Sequence, residues 1–488
     1  MNRRDFICRL QAAMLASTVP IGWHRPLQAA EAPLKGTSLD PLQIGRGVQL
    51  FLDDFLIEEL NGLQRKVVQP EKLPQPVLDS ATFGTTQPYL TVLHDAEQKQ
   101  YRIWYNRGND IWQAVSTDGV EWKDPQLVWK LNNAFGCSLV DDGPNAADPQ
   151  RRFKMINTQR TKSRKQGKPG DEGSWVGFSP DGMQWTPWNR NPVMFAWPEG
   201  FQKFVYECVG DIIDVFYDEQ KKQYVAAFKM EALEEDGLAQ GPRNAPGFRR
   251  LVGMSTSKDF IDWTTPKRIF VPDEQDEGLL EFYGMGGMHQ RGGLYIGFLR
   301  VLRDDLPCDP GGPLDGIGYT VLATSRDGEN WQRFREPFLD RNLNSGTWDH
   351  AMAWMGDDLP MGDDLNLYYG GYSLGHKVDR EAGRQIGLAR MKKDRYAGLV
   401  AQRDEGLLRS KRLIVPADRF TINADADADG EVRVRLIAAD GASVDAEPIV
   451  GDRLSHPVRW REPIASFVGK PAQLEFRIRQ ATLFGFDC

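Results

Sequence analysis

The chain has 488 residues, 41% of them hydrophobic and 26% charged, with a net charge of −8. That is enough to bury a large core over several domains, and it excludes a mostly disordered chain. An insertion from Arg160 to Lys168 is rich in lysine and arginine, but no basic block is of nucleic-acid type, which argues against nucleic acid as a partner, and no stretch of about 18 apolar residues would span a membrane after processing.

The first 32 residues read as a leader, not as fold. Asn2-Arg3-Arg4-Asp5-Phe6-Ile7 resembles a twin-arginine export signal. An apolar stretch follows from Leu10 to Trp23, then small residues at Ala29, Ala30 and Ala32. The expected partner is the twin-arginine export machinery, and the expected place of work is the periplasm or the medium. Cleavage near Ala30 removes four arginines and one aspartate, which takes the net charge from −8 to −11. Residues 33–80 form a lead-in. Val48 to Leu52 and Phe55 to Ile57 are apolar, and Pro70, Pro74 and Pro76 mark an irregular approach.

From residue 81 a short phrase recurs. It reads Ser116-Thr117-Asp118-Gly119-Val120-Glu121-Trp122, then Ser179-Pro180-Asp181-Gly182-Met183-Gln184-Trp185. The third copy is Ser257-Lys258-Asp259-Phe260-Ile261-Asp262-Trp263, and the fourth is Ser325-Arg326-Asp327-Gly328-Glu329-Asn330-Trp331. A degenerate fifth lies at Asp394-Arg395-Tyr396. Asp-Gly suits a tight turn between strands. Alternating apolar segments precede every copy, as in Tyr89 to Leu93, Tyr101 to Tyr105 and Trp112 to Val115 before the first. Four short strands repeated five times predict a five-bladed β-propeller over 81–400. The repeated aspartate and tryptophan are expected to be structural: a turn acceptor and a wedge between blades. From 401 to 488 the repeat gives way to short alternating strands, which predict a small C-terminal β-sandwich. The fold class is therefore all-β.

Several motifs do not carry chemistry. Gly371-Tyr372-Ser373-Leu374-Gly375 fits the nucleophile-elbow pattern, but a strand–turn–strand context replaces the strand–turn–helix it needs. Asp425-Ala426-Asp427-Ala428-Asp429-Gly430 begins like a calcium loop, yet Leu436 stands where the bidentate glutamate belongs. The histidines are scattered and no paired cysteine motif occurs, so neither a metal site nor a cofactor is indicated.

The repeated hairpins, the five blades and the trailing sandwich resemble the glycosidase superfamily that includes glycoside hydrolase families 32, 43, 68 and 117. Further matching phrases are Leu50-Phe51-Leu52-Asp53-Asp54, Tyr283-Gly284-Met285, Gly346-Thr347-Trp348-Asp349 and Tyr368-Tyr369-Gly370-Gly371. The resemblance implies a carbohydrate substrate at one mouth of the channel. It also implies carboxylates contributed by the starts of the innermost strands, one as proton donor and one as nucleophile or base. The acids at those positions are Asp211 with Glu207 in the third blade, Glu281 in the fourth and Asp349 in the fifth. Asp211, Glu281 and Asp349 are the expected catalytic groups. The first blade departs from the pattern. It begins Gly84-Thr85-Thr86-Gln87-Pro88 with no acid, and Asp53 or Asp54 of the lead-in is the candidate replacement. Substrate contacts are expected from Asp54, Gln87, Glu207, Tyr283, Trp348 and His350. Asn106 and Arg107 end one second strand, and Arg300 and Arg303 end another. There they would hold sugar hydroxyls or, through arginine, a uronate or sulfate. The expected function is an exported glycoside hydrolase or related glycan-cleaving enzyme. The alternative is a glycan-binding or scaffold propeller without catalysis.

Overall fold

The computed structural model describes residues 40–131, 134–159, 173–195, 212–231, 249–378, 383–401 and 405–488. The leader, Glu207, Asp211 and the basic stretch 160–168 lie outside the described residues.

The fold is nearly all strand. The lead-in holds β1 (Leu42–Gln43), β2 (Val48–Leu50), β3 (Ile57–Asn61), β4 (Leu63–Val67) and β5 (Glu71–Lys72). One turn of helix, α1 (Ser80–Phe83), is capped by Asp79, whose carboxylate accepts from the backbone of Ala81 and Thr82. Antiparallel sheets then follow in chain order. The first comprises β6 (Thr86–Asp95), β7 (Gln100–Arg107), β8 (Asp110–Ser116) and β9 (Lys123–Trp129). The second comprises β10 (Ala134–Asp141), β11 (Phe153–Gln159) and β12 (Gly173–Ser179), with the short β13 (Thr186–Pro187) and β14 (Met194–Phe195) on its edge. The third has β15 (Ile213–Asp218), β16 (Gln223–Glu231), β17 (Arg250–Ser257) and β18 (Lys267–Phe270). The fourth has β19 (Leu280–Arg291), β20 (Leu294–Arg303), β21 (Ile317–Ser325) and β22 (Trp331–Arg333). The fifth has β23 (Met352–Met361), β24 (Asp364–Tyr372) and β25 (Arg384–Lys392), its outer strand is β5 from the lead-in, and a single parallel pairing of Gly318 with Met352 joins it to the fourth.

The first strands of these sheets sit side by side in cyclic order. β6 packs beside β10, β10 beside β15, β15 beside β19, β19 beside β23, and β23 beside β6. Apolar side chains fill the gaps between neighbouring sheets. Trp104, Leu139 and Phe153 fill the gap between first and second, and Phe270, Phe282 and Trp331 that between third and fourth.

The repeated phrase has one geometry throughout. In each copy the aspartate Oδ1 accepts from two backbone N–H groups two and three residues on, as Asp327 does from Glu329 and Asn330 at 2.8 and 2.7 Å. The serine hydroxyl accepts from the N–H three residues later. That later residue lies in left-handed backbone: φ is 72° at Gly119, 76° at Gly182 and 71° at Gly328. The third copy forces Phe260 into the same region at φ 69°, where its buried ring packs against Phe178, Tyr224 and Trp263. The tryptophans pack against the preceding sheet. Trp185 stacks on Trp129 at 5.8 Å, and Trp122 meets Tyr368 of the fifth sheet at 6.0 Å. Three of the tryptophans donate Nε1 to the carbonyl of their own turn. In the first copy the Tyr368 hydroxyl takes the Gly119 carbonyl instead, and Trp122 Nε1 is left without a partner.

The remaining strands are β26 (Ala397–Ala401), β27 (Gly406–Ser410), β28 (Leu413–Ile414), β29 (Thr421–Ala438), β30 (Ser443–Asp445), β31 (Asp452–Pro457) and β32 (Pro471–Asp487). They join β1–β4 in one 11-stranded sheet around a single apolar cluster that includes Phe51, Leu408, Phe420, Val434, Phe476 and Phe486. The lead-in is thus divided. Its first four strands pair with the C-terminal strands, and its fifth completes the fifth sheet. The run Asp425 to Gly430 lies inside β29, at a bulge between Ala426 and Glu431. Among the described residues no cluster of potential metal ligands occurs, and no helix is long and apolar enough to cross a membrane.

Candidate functional site

Glu281 is the second residue of β19, at the end of the ring where the first strands begin. Its side chain is 0% exposed, and its Oε2 accepts from Nη1 of Arg250, the first residue of β17. Its Oε1 is buried with no hydrogen-bond partner among the described residues. The same Arg250 nitrogen lies 3.7 Å from Oδ2 of Asp304, just past β20. One guanidinium nitrogen therefore touches two carboxylates. Their nearest oxygens lie closer than the roughly 6.5–9.5 Å of an inverting glycosidase pair.

Asp304 anchors a chain of hydrogen bonds. Its Oδ1 meets His376 Nδ1 at 3.0 Å, and His376 Nε2 meets the Tyr283 hydroxyl at 3.3 Å. The imidazole thus bridges the Asp304 carboxylate and the Tyr283 hydroxyl. Tyr283 stacks on Trp354 at 4.7 Å, while Lys229 and Arg250 stand over its ring at 4.8 and 5.1 Å.

The two carboxyls are pushed apart in acidity. Burial raises Glu281 above its ordinary value, and the nearby Asp304 charge adds to that, so Arg250 only partly offsets the shift. Burial alone would raise Asp304 too, but His376, Arg250 and Lys377 outweigh it and hold Asp304 below its ordinary value. A neutral acid beside an ionised one is the arrangement that divides acid and base roles between two like groups.

A second network lies deeper among the first strands. Arg300 of β20 holds Asp214 of β15 through paired hydrogen bonds of 2.7 and 2.9 Å, and its Nε donates to the Met355 carbonyl of β23 at 2.6 Å. One side chain thereby ties three sheets together. The strand beside it runs Gly284-Met285-Gly286. A β-carbon at Gly286 would collide with the Arg300 guanidinium and with the carbonyls of Met355 and Gly356. Asp214 also borders a cavity of about 660 Å³ lined by later residues of the first strands, among them Thr91, Ser138, His289 and Asp357. Burial raises Asp357 well above its ordinary value, and Asp358 beside it adds to the effect.

The other expected site residues are placed as follows. Asp349 is buried, but its Oδ2 accepts from Lys72 of β5 at 2.8 Å and from the Tyr369 hydroxyl at 3.1 Å. It shares no partner with Glu281, and it clasps the lead-in strand onto the fifth sheet. Trp348 stacks on Tyr369 at 5.5 Å and donates to the Pro74 carbonyl. His350 bonds the Asn342 carbonyl at 2.9 Å and Asp309 at 3.0 Å. Asp53 grips Arg326 through two bonds of 2.8 and 2.9 Å, and Asp54 pairs with Arg65. Neither acid of the lead-in therefore joins the Glu281 cluster. Gln87 accepts from Arg384 at 2.9 Å. Arg107 packs over Trp112 at 4.5 Å. Arg303 is engaged bidentately by Asp305 at 2.9 and 3.0 Å. Arg300 and Arg303, expected from the sequence to read an anionic substituent, are thus each paired with an aspartate close by. Arg250, Asp304 and His376 were not picked out as site residues from the sequence.

Removing Lys72 isolates the assignment of Asp349. Lys72→Ala is expected to lower stability by about 1.5–3 kcal/mol, the usual worth of a hydrogen bond to a charged group. Urea denaturation reads that loss, and the affinity for any glycan should stay unchanged.

No protein-family model matches the chain, and no curated protein matches it. Among solved structures it is similar to one described as a glycoside hydrolase, at 14% identity over 67% of this chain and 92% of that one, with a TM-score of 0.44. It is also similar to a family 32 β-fructofuranosidase from Bombyx mori, at 9% identity over 86% and 93%, with a TM-score of 0.40. A third is a family 43 arabinoxylan arabinofuranohydrolase from Bacillus subtilis, at 11% identity over 85% and 99%, with a TM-score of 0.40.

Proposed function

We propose that the chain is an exported glycan-cleaving enzyme, built as a five-bladed propeller with a small C-terminal β-sandwich, and that it hydrolyses a glycosidic bond at the end where Glu281 stands. One observation carries this reading. A fully buried carboxyl with a raised pKa keeps one oxygen unpartnered among the described residues, beside a carboxylate held below its ordinary value. Glycoside hydrolysis needs a proton donor for the leaving oxygen and an anionic partner for the developing positive charge. Glu281 takes the first role and Asp304 the second. Their close approach through Arg250 suits the retaining geometry, in which the carboxyls are about 5–5.5 Å apart. Tyr283, stacked on Trp354, supplies a rigid wall to the same cluster.

A second reading, a glycan-binding propeller without catalysis, is favoured by one feature: Asp214 and Asp349 are both engaged by basic side chains of the chain itself. Incubating the protein without its first 32 residues with plant, algal and microbial glycans, and measuring new reducing ends, tests the two. Product formation supports the enzyme, whereas saturable binding with no new reducing ends supports the scaffold. Fractionating the producing cell tests export, for which a cytoplasmic location of the folded chain is the adverse result.

A further inference from the structure

Two amide side chains near the same end of the ring meet nothing. Asn106 on β7 and Asn157 on β11 are both 0% exposed, and neither the oxygen nor the nitrogen of either amide has a hydrogen-bond partner among the described residues. Side chains alternate along a strand, and the pairing of β7 with β8 and of β11 with β12 runs without a shift. Asn106 therefore shares its face with Trp104 and Arg102, which reach the carbonyls of Gly182 and Asp181 in the second sheet. Asn157 shares its face with Met155 and Phe153, which pack with Trp104. Both amides look into the gap between the first two sheets, just past its apolar filling. Trp175 stands opposite Asn157 on β12, and its indole Nε1 is also buried with no partner among the described residues. Gly177, two residues on and on the same face as Trp175, lies against Trp129 of the first sheet, so the indole belongs to this gap.

The gap is connected to the Glu281 strand. A β-carbon on Gly136 would lie 3.9 Å from the Asn157 Cα and 3.6 Å from Ile213 Cγ2. Ile212, the neighbouring residue, comes within 3.0 Å of a β-carbon placed on Gly284, three residues after Glu281. The unpaired amides stand on the first and second sheets and the unpaired Glu281 oxygen on the fourth, with the start of β15 in the third sheet packed between the second and the fourth.

The chemistry of the gap is specific. Each primary amide offers a donor and an acceptor, and the indole adds a donor. A hydroxyl group both donates and accepts, so neighbouring hydroxyls satisfy these groups without any charge. Among the described residues the gap offers an anion no counter-charge. Arg107 falls on the opposite face of β7 by the same alternation, and Arg102 is held by Asp95 and the Asp181 carbonyl. We propose that this gap is a hydroxyl-reading subsite, with Asn106, Asn157 and Trp175 as its binding groups, and that it selects a neutral glycan. The inference rests on the reading of the Glu281 cluster as a glycan-cleaving site and adds its specificity.

The test uses a glycan array holding neutral, uronate-bearing and sulfated oligosaccharides, with Asn106→Leu and Asn157→Leu beside the parent protein. Leucine keeps the volume and removes the unmet hydrogen bonds, so thermal stability is expected to hold or rise in both variants. The parent is expected to bind neutral members, and each variant to bind them about tenfold more weakly or worse. Binding confined to anionic members, undiminished binding by both variants, or no bound glycan at all would overturn the subsite. Loss of fold in both leucine variants overturns it as well, because the amides are then structural. The proton-donor assignment stands or falls separately, on whether hydrolysis survives Glu281→Gln.

Discussion

Glu281→Gln is expected to leave the fold intact and to cut turnover by about 10²–10⁴-fold, the usual contribution of a positioned general acid. Glutamine keeps the size of the side chain and an oxygen that accepts from Arg250. What it loses is the transferable proton. Bound substrate should be retained, so the loss falls on kcat with little change in KM. The pH profile sharpens the expectation. Burial raises Glu281, so the donor stays protonated past the ordinary glutamate range, and activity falls as pH rises through that raised value. Asp304 is held below its ordinary value, so its negative charge, and the activity that depends on it, is lost only as pH falls through that lower value. The parent profile is therefore a bell with a wide top, and the glutamine variant loses the upper limb. The same shifts set the stability trend. The native state holds the Glu281 proton more tightly than the unfolded chain does, so this group's contribution to stability declines as pH rises from about 4.5 to its native value. Turnover by the glutamine variant equal to that of the parent would dismiss Glu281 as the donor.

The strand order was legible because its signals are local. A serine, an aspartate and a tryptophan within seven residues set each turn, and alternation around it marked strands that the structure extends by one to four residues at most ends. Phe260 shows the limit of that code. Its turn demands left-handed backbone as strictly as the glycine copies do, and a buried aromatic ring compensates. Glu281 and Tyr283 stand out in the sequence because they open an apolar strand after a loop. Arg250, Asp304 and His376 do not, because they reach the cluster from the start of one strand, a tight turn and a loop. Only packing brings such segments together. Asp304, beside Arg303 and Asp305 in sequence, looks like part of a surface ion pair, whereas Asp305 alone takes Arg303 and frees Asp304 to turn inward. Asp349 illustrates the converse. It occupies the position of an entry acid, yet Lys72 comes from almost three hundred residues away to take its charge.

Arg300→Met is expected to be the most destabilising single change, at about 3–5 kcal/mol, because it leaves Asp214 buried without its counter-charge. Both side chains are almost wholly enclosed, at 0% and 7% exposure, so water does not screen the pair. The guanidinium also bonds the Met355 carbonyl, so the third, fourth and fifth sheets lose a common tie. Against a typical total of about 5–15 kcal/mol, that loss is a large share. The sign of the pH dependence follows from Asp214. Burial raises its carboxyl, and Arg300 is the group that opposes the rise. Without Arg300 the native state favours the protonated acid still more, so the variant should be most stable below about pH 4 and should weaken as pH rises through the raised native value. The double change Arg300→Met with Asp214→Leu removes both charges and should recover most of the loss, since an apolar pair of similar volume avoids the desolvation cost. Urea titrations of the parent, both single variants and the double variant at two pH values measure the coupling directly. Additive losses, with no recovery in the double variant, would mean that the pair does not couple the three sheets and that the Met355 bond carries the effect alone.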